Sequence, residues 1–377
     1  MSPREGGRSL DRMPEPSEPK ETTMLRRQPG RILVAVCGLT AIVLGCVAQA
    51  AATAPARPTN GRIVFRRYLD VGKTTGAIFT VNPNGKHVLR VTDAGPGVND
   101  TEPDWSADGS RIAFTRQSPC PPDGTKNGLN GTCDLVFTMR RDGGDLRQLV
   151  PCGFDTRTPF PGNCVGVSHA GWSPDGSRLA FQYNLADRRY TGSYNVQAGI
   201  WIVDADGTNL RQLTQRTPGT SWDFAPQWSP DGSRIAFFRL DLGTLREAVF
   251  TVGTDGTNQV RVTPAELDAA NPNWSPDGRW ILFNAGSFDD ASNVYKVRPD
   301  GTRLANLTRQ GPGGFHYLSA SFSPDGMKIA TSRTPGTGPE GAADVVVMRA
   351  DGSRVRPVTR TRLWDSGADW GTAPLVR

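Results

Sequence analysis

Residues 172–181 read Trp-Ser-Pro-Asp-Gly-Ser-Arg-Leu-Ala-Phe, and the chain returns to this phrase along its length. Trp228, Trp274 and Phe322 each open the same Ser-Pro-Asp-Gly, and Trp105 opens a variant with alanine in place of proline. Within the unit, proline presets its own φ, aspartate bonds back to nearby amides and glycine accepts a positive φ, so each copy is predicted to be a tight turn. After each turn comes a short run, Arg111–Phe114, Arg178–Phe181, Arg234–Phe237, Trp280–Phe283 and Lys328–Thr331, with the period-two alternation of a half-buried strand.

A second hairpin follows in every unit, its turn ending at Gly85, Gly143, Gly207, Gly256, Gly301 or Gly352. A fourth run closes each unit: Val88–Thr92, Leu146–Val150, Leu210–Thr214, Val260–Thr263, Leu304–Thr308 and Val355–Thr359. Four antiparallel strands per unit, in radial repetition, predict an all-β fold, a six-bladed β-propeller whose stacked sheets bury faces that one sheet alone would leave wet. There are six second hairpins but only five aromatic turns, and the two chain ends supply the missing part. Gly61–Phe65 begins a blade at its second strand, while Asp369-Trp370-Gly371 is a first strand without a partner. Pairing of these two segments would close the ring and remove its exposed edges. Trp105, Trp172, Trp228, Trp274 and Trp370 are therefore read as packing residues, and Asp108, Asp175, Asp231, Asp277 and Asp325 as turn formers.

These residues resemble the propeller repeats of the TolB family, WD40-like repeats of the PD40 type, from Gly61 to Trp370. The resemblance implies the ring. It implies little about the task, because the family includes periplasmic assembly factors, gating domains of oligopeptidases and polysaccharide-degrading enzymes. TolB itself carries an α/β domain before its propeller. Here about ten residues separate the amino-terminal apolar segment from the first strand, a departure that speaks against a role in the Tol and Pal envelope system.

Ahead of the ring, residues 1–23 are polar and lack any apolar period, so a disordered or untranslated leader is expected, with Met24 as the alternative start. Residues 24–50 carry Arg26, Arg27 and Arg31, an apolar run from Ile32 to Val47 and the small-residue site Ala48-Gln49-Ala50, the layout of a secretory signal peptide. Val43-Leu44-Gly45-Cys46 also resembles a lipobox, which would make Cys46 the lipidated amino terminus, and a retained signal anchor is the third reading. Residues 51–60 are read as a linker and 61–377 as the propeller. The expected location is extracytoplasmic, secreted or in the periplasm or cell envelope. In that oxidizing setting Cys120, Cys133, Cys152 and Cys164 are expected to form two disulfides, with zinc binding as the alternative. Three pairings are possible, and 120 with 133 and 152 with 164 is favored because each would staple one long insertion for roughly 3 kcal/mol.

Charge and motifs narrow the function classes. Of the formal charge of +6, the first fifty residues hold seven basic and five acidic side chains, leaving 36 basic against 32 acidic. That balance is too mild for a nucleic-acid partner, and no basic stripe is interleaved with aromatics. There is no Gly-x-Ser-x-Gly elbow, phosphate-cradling loop, Cys-x-x-Cys or His-Glu-x-x-His. No catalytic residue and no cofactor are assigned on this reading, and the metal content stays open. What stands out is polarity just ahead of each innermost strand: Asp100 and Glu102, His169, Asp223, Asp268 and Asn271, His316 and Tyr317, and Asp365. Innermost strands line the channel, so these nine are the candidate ligand-binding residues at its mouth, where the carboxylates would attract a cation or basic group. The competing reading is that they cap channel water and tie blades together. Asp365 is expected to serve binding and not the fold.

The long connections 116–133, 151–170, 184–198, 309–318 and 333–343 share the same face, and irregular loops on a rigid scaffold are where binding resides. The function expected is that of a monomeric, exported, noncatalytic module that binds a protein, peptide or glycan. A polysaccharide-acting hydrolase or lyase at the channel mouth is the alternative. Export is checked by reading the amino terminus of the product made in its native host by mass spectrometry, with Ala51 expected first. A diacylglycerol-modified Cys46 would establish a lipoprotein, and an intact run from Ile32 to Val47 would sink both readings in favor of an anchor.

Overall fold

The computed structural model describes residues 58–119, 132–150, 152, 164–186, 196–215, 219–286, 291–335 and 342–376. The expected leader and signal peptide, Cys46, Cys120 and much of the long connections lie outside the described residues.

Blade one contains β1 (Ile63–Tyr68), β2 (Gly76–Val81) and β3 (Leu89–Arg90). Blade two runs through β4 (Asn99–Trp105), β5 (Arg111–Pro119), β6 (Thr132–Arg140) and β7 (Arg147–Gln148). Blade three continues with β8 (Cys164–Trp172), β9 (Arg178–Ala186), β10 (Val196–Asp204) and β11 (Arg211–Gln212). In blade four the strands are β12 (Ser221–Trp228), β13 (Arg234–Asp241), β14 (Arg246–Gly253) and β15 (Val260–Arg261). Blade five has β16 (Ala269–Trp274), β17 (Ile281–Ala285), β18 (Asn293–Val297) and β19 (Ala305–Asn306), and blade six β20 (His316–Phe322), β21 (Lys328–Thr334), β22 (Asp344–Arg349) and β23 (Arg356–Pro357). The last strand, β24 (Asp365–Trp370), lies beside β1 and gives blade one its innermost strand. A single parallel bridge from Gly76 to Asn99 joins blades one and two edge to edge.

The turns form as the sequence dictates. Ser106 Oγ donates to Asp108 Oδ1 at 2.6 Å, the Arg111 amide donates to Ser106 Oγ at 2.9 Å, and Gly109 takes a φ of +67°. The same hydroxyl-to-carboxylate bond of 2.6 Å recurs at Ser173–Asp175, Ser229–Asp231, Ser275–Asp277 and Ser323–Asp325. The Ser173 hydroxyl and the Ser177 amide and hydroxyl draw the Asp175 carboxyl down to about 2. The outermost strands pair through two residues only, and a threonine completes the job. The amides of Ile78, Ile200, Val249, Val294 and Val345 donate to the hydroxyls of Thr92, Thr214, Thr263, Thr308 and Thr359 at 2.9 to 3.1 Å.

Packing concentrates between blades. Ile63, Phe65, Ile112, Phe114, Leu179, Phe181, Ile235, Phe237, Ile281 and Phe283 on the second strands are fully buried, and each such side chain contributes about 2 kcal/mol by leaving water. In three blades an arginine roofs the core aromatics: Arg67 over Phe65 and Phe79, Arg116 over Phe114 and Phe137, Arg239 over Phe237 and Phe250, at 4.4 to 5.6 Å. Each guanidinium is gripped by both oxygens of an aspartate on the innermost strand, Asp365, Asp100 and Asp223 respectively, at 2.6 to 3.0 Å. This corrects the expectation for Asp365, which is fully buried and part of the frame.

At the seam, Ile63 faces Trp370 and Arg67 faces Asp365 across the β1–β24 ladder. Trp370 is buried, and its indole Nε1 donates to Gly61 O at 3.0 Å. The chain then continues past Trp105, where a Cβ on Gly371 would overlap the indole, and Arg62 N donates to Ala373 O at 2.9 Å. Cys152 and Cys164 form a disulfide with Cα atoms 5.2 Å apart. Cys133 is also disulfide-bonded, and its expected partner Cys120 falls outside the described residues. Truncation before Asp365 should strip blade one of its inner strand and abolish most soluble yield. Asp365→Ala, leaving Arg67 without its carboxylate, should cost about 3 kcal/mol in denaturant unfolding.

Candidate functional site

An innermost strand offers its edge to the channel and its two faces to neighboring blades, so a regular strand has no side chain to send into the channel. Each innermost strand here breaks that limit at one place. Three residues before the blade aromatic, the backbone enters the left-handed region: Glu102 (φ 54°), His169 (54°), Ala225 (47°), Asn271 (52°), Ser319 (46°) and Gly367 (64°). The pairing register slips there in every blade, for example between Thr101 and Asp104 against Thr115 and Ala113. These are β-bulges, each inserting one residue and re-aiming the side chains beyond it.

The bulges gather the residues one to three positions before each aromatic around a central cavity of about 350 Å³. Its lining includes Arg66, Glu102, Asp104, His169, Gln227, Asn271, Asn273, Ser319, Ser321, Trp364, Ser366 and Asp369. Of the nine sequence candidates, Glu102, His169 and Asn271 reach it. The other six do not, and the bulge is the reason. Asp100 pairs with Arg116 and Trp105 with Ile112, two positions on the same face of β5, so the inserted residue puts Asp100 on the packing face beside the tryptophan. The equivalent Asp223 and Asp365 share that fate, and at the same position Tyr317 is buried in the core of blade six. His316 is buried, its Nδ1 accepting the Ser292 amide at 3.1 Å, and Asp268 pairs with Arg246 at 2.5 Å outside the cavity.

Two charged groupings occupy the cavity. In the first, Glu102 Oε1 meets His169 Nε2 at 2.9 Å, and Glu102 Oε2 accepts the Thr115 hydroxyl at 2.8 Å and the His169 amide at 3.1 Å. Burial alone would push the His169 imidazole down, but the charge and hydrogen bond of Glu102 outweigh it and raise the group above the ordinary histidine value. Burial would raise Glu102, and His169 with the Thr115 hydroxyl and the nearby Arg66 hold it below the usual carboxylate value instead. Arg66 itself donates to Thr101 Oγ1 at 2.9 Å and Ser366 Oγ at 2.6 Å.

In the second grouping, Asp104 and Asp369 face the same cavity from adjacent blades. Asp104 Oδ2 accepts the Trp172 amide at 2.9 Å, and Asp369 Oδ2 accepts the Trp105 amide at 2.9 Å. Burial, then the Asp369 charge, pushes Asp104 well above the carboxylate range, and burial raises Asp369. Sequence reading missed both, although a polar residue directly before the aromatic recurs at Asp104, Gln227, Asn273, Ser321 and Asp369. Among the described residues, no group of three or more His, Cys, Asp or Glu is arranged to hold a metal ion.

Residues 155–372 match the family model described as the TolB beta propeller domain, PD40. An uncharacterized protein of Agrobacterium fabrum is 25% identical over 230 residues, 60% of this chain and 63% of that protein. A TolB homolog of Chlorobium luteolum is 34% identical over 131 residues, 35% of this chain and 28% of that protein. The chain thus spans less than two thirds of the length of these curated relatives. Among solved structures, TolB from Acinetobacter baumannii superposes with a TM-score of 0.60 at 15% identity, covering 82% of this chain and 66% of that one, a likeness of fold.

The shifts of the Glu102–His169 pair have opposite signs and define a window. His169, raised, contributes stability below the ordinary histidine value that is lost as pH rises through its folded value, while Glu102, lowered, contributes above the ordinary glutamate value and loses it as pH falls. Imidazole NMR should therefore show His169 titrating above the ordinary range, and Glu102→Gln should return it to or below that range. An unmoved titration would mean the pair is not coupled.

Proposed function

Because the chain belongs to the TolB beta propeller family, we propose that it is an exported, noncatalytic binding module of the cell envelope or extracellular space, engaging its partner at the loop face and channel mouth. The observation that carries this reading is the bulge ring, which brings side chains from all six blades to one cavity on a rigid frame. A protein or peptide segment suits that cavity better than a neutral glycan. The walls carry both signs of charge, Arg66 and His169 against Glu102, Asp104 and Asp369, together with amide and hydroxyl groups at Gln227, Asn271 and Ser319. A polypeptide brings donors, acceptors and charges of both signs to match them. Relatives bearing the TolB name support an envelope location and a protein partner, and the secretory pattern of residues 24–50 agrees.

The test is capture from envelope extract by the exported chain, compared with Leu318→Trp, which adds bulk at a residue of the cavity wall beside the blade-six bulge. Binding of the captured partner should weaken about tenfold or more, a loss of about 1.4 kcal/mol. Unchanged binding would move the site off the channel, and new sugar ends released from a polysaccharide panel would favor the enzyme.

A further inference from the structure

We propose that Asp104 and Asp369 form a proton-operated clasp of the ring, in which a proton on one of the two carboxyls lets them hold blades one, two and three together, and its loss sets two anions against each other and loosens β24. A repeated bond underlies the clasp. A polar side chain directly before a blade aromatic can accept the amide of the next blade's aromatic, and among the described residues four seams use it. Asn273 Oδ1 accepts the Phe322 amide at 3.2 Å, Ser321 Oγ accepts that of Trp370 at 3.2 Å, and Asp369 and Asp104 accept those of Trp105 and Trp172. A neutral acceptor therefore suffices. Two adjacent blades nevertheless carry carboxylates, facing one cavity.

Among the described residues, no cation of the cavity wall forms an ion pair with Asp104 or Asp369. Arg66 of β1 is turned to Thr101 and Ser366, and Glu102 of β4 is paired with His169 of β8. The cavity residues of β12, β16 and β20 include Gln227, Asn273 and Ser321, with no titratable group among them. Asp369 has two donors, the Trp105 amide and the Ser321 hydroxyl, one on each oxygen, whereas Asp104 has the Trp172 amide and a long 3.4 Å contact from Gln227. The better hydrogen-bonded Asp369 keeps the negative charge, and Asp104 holds the proton. Both groups are raised in the folded state. Their contribution is thus complete below the ordinary carboxylate value and is lost as pH rises through the raised folded value.

Amide hydrogen exchange of the full chain between mildly acid and alkaline pH tests this, with rates corrected for intrinsic chemistry. The opening constants of Trp105 and Trp172 should climb about tenfold per pH unit once that proton leaves, while Phe322, bonded to neutral Asn273, stays flat and serves as the internal control. Asp104→Asn should keep the bond, abolish the climb and raise the melting temperature at alkaline pH. The clasp is overturned if Trp105 and Trp172 track Phe322 at every pH, or if Asp104→Asn retains the wild-type slope. Should that variant fail to fold, the wild-type comparison and Asp369→Asn decide the matter by the same slopes.

Discussion

The extra residue in each innermost strand is the constraint on which the remaining structure turns. An innermost strand must pack two faces against neighboring blades and still furnish the channel, and a regular pleat has side chains for the first task only. Slipping the register by one residue at Glu102, His169, Ala225, Asn271, Ser319 and Gly367 meets both demands. Five of these six residues are not glycine, so each accepts a left-handed backbone that costs about 1 kcal/mol. That strain persists because the ladder on either side of the bulge is fully paired and the aromatic three residues on is locked between blades.

The same slip governs the frame. It brings Asp100, Asp223 and Asp365 onto the face of the blade tryptophan, where each meets an arginine lying over stacked phenylalanines. A buried carboxylate there would be costly alone; gripped through two bonds to a guanidinium, it helps fix one register among several. Blades three, five and six place Val167, Ala269 and Tyr317 at that position and are packed by apolar contact instead. Two solutions to one packing problem thus alternate irregularly around the ring.

The repeat itself was fully legible, because its signal is written in residues with narrow backbone roles. Asp108, Gly109 and their counterparts have one reading in a turn, and Trp105 and its counterparts recur at one depth. The cavity was less so. A bulge is flagged by a glycine only at Gly367; at Glu102 or His169 it leaves no mark, since alternation counts apolar side chains and both faces here are partly apolar. Counting back from the tryptophan by twos sends Asp100 to the wrong side. Arg66 was invisible for another reason: it belongs to a second strand and enters the cavity through the pairing of distant chain ends. Asp104 and Asp369 stood in plain sight before their tryptophans, but as single polar residues in a strand they carried no sign of their shared space.

The bulge positions bear Glu, His, Ala, Asn, Ser and Gly on one common backbone, so identity there is free of the packing that surrounds it. A scaffold with that property separates durability from taste. Its channel lining can be rewritten one blade at a time by single exchanges, while the tryptophans and turns go untouched. Paralogs of one stable ring could diverge quickly in what they recognize, and a library varied at those six positions alone would sample that diversity.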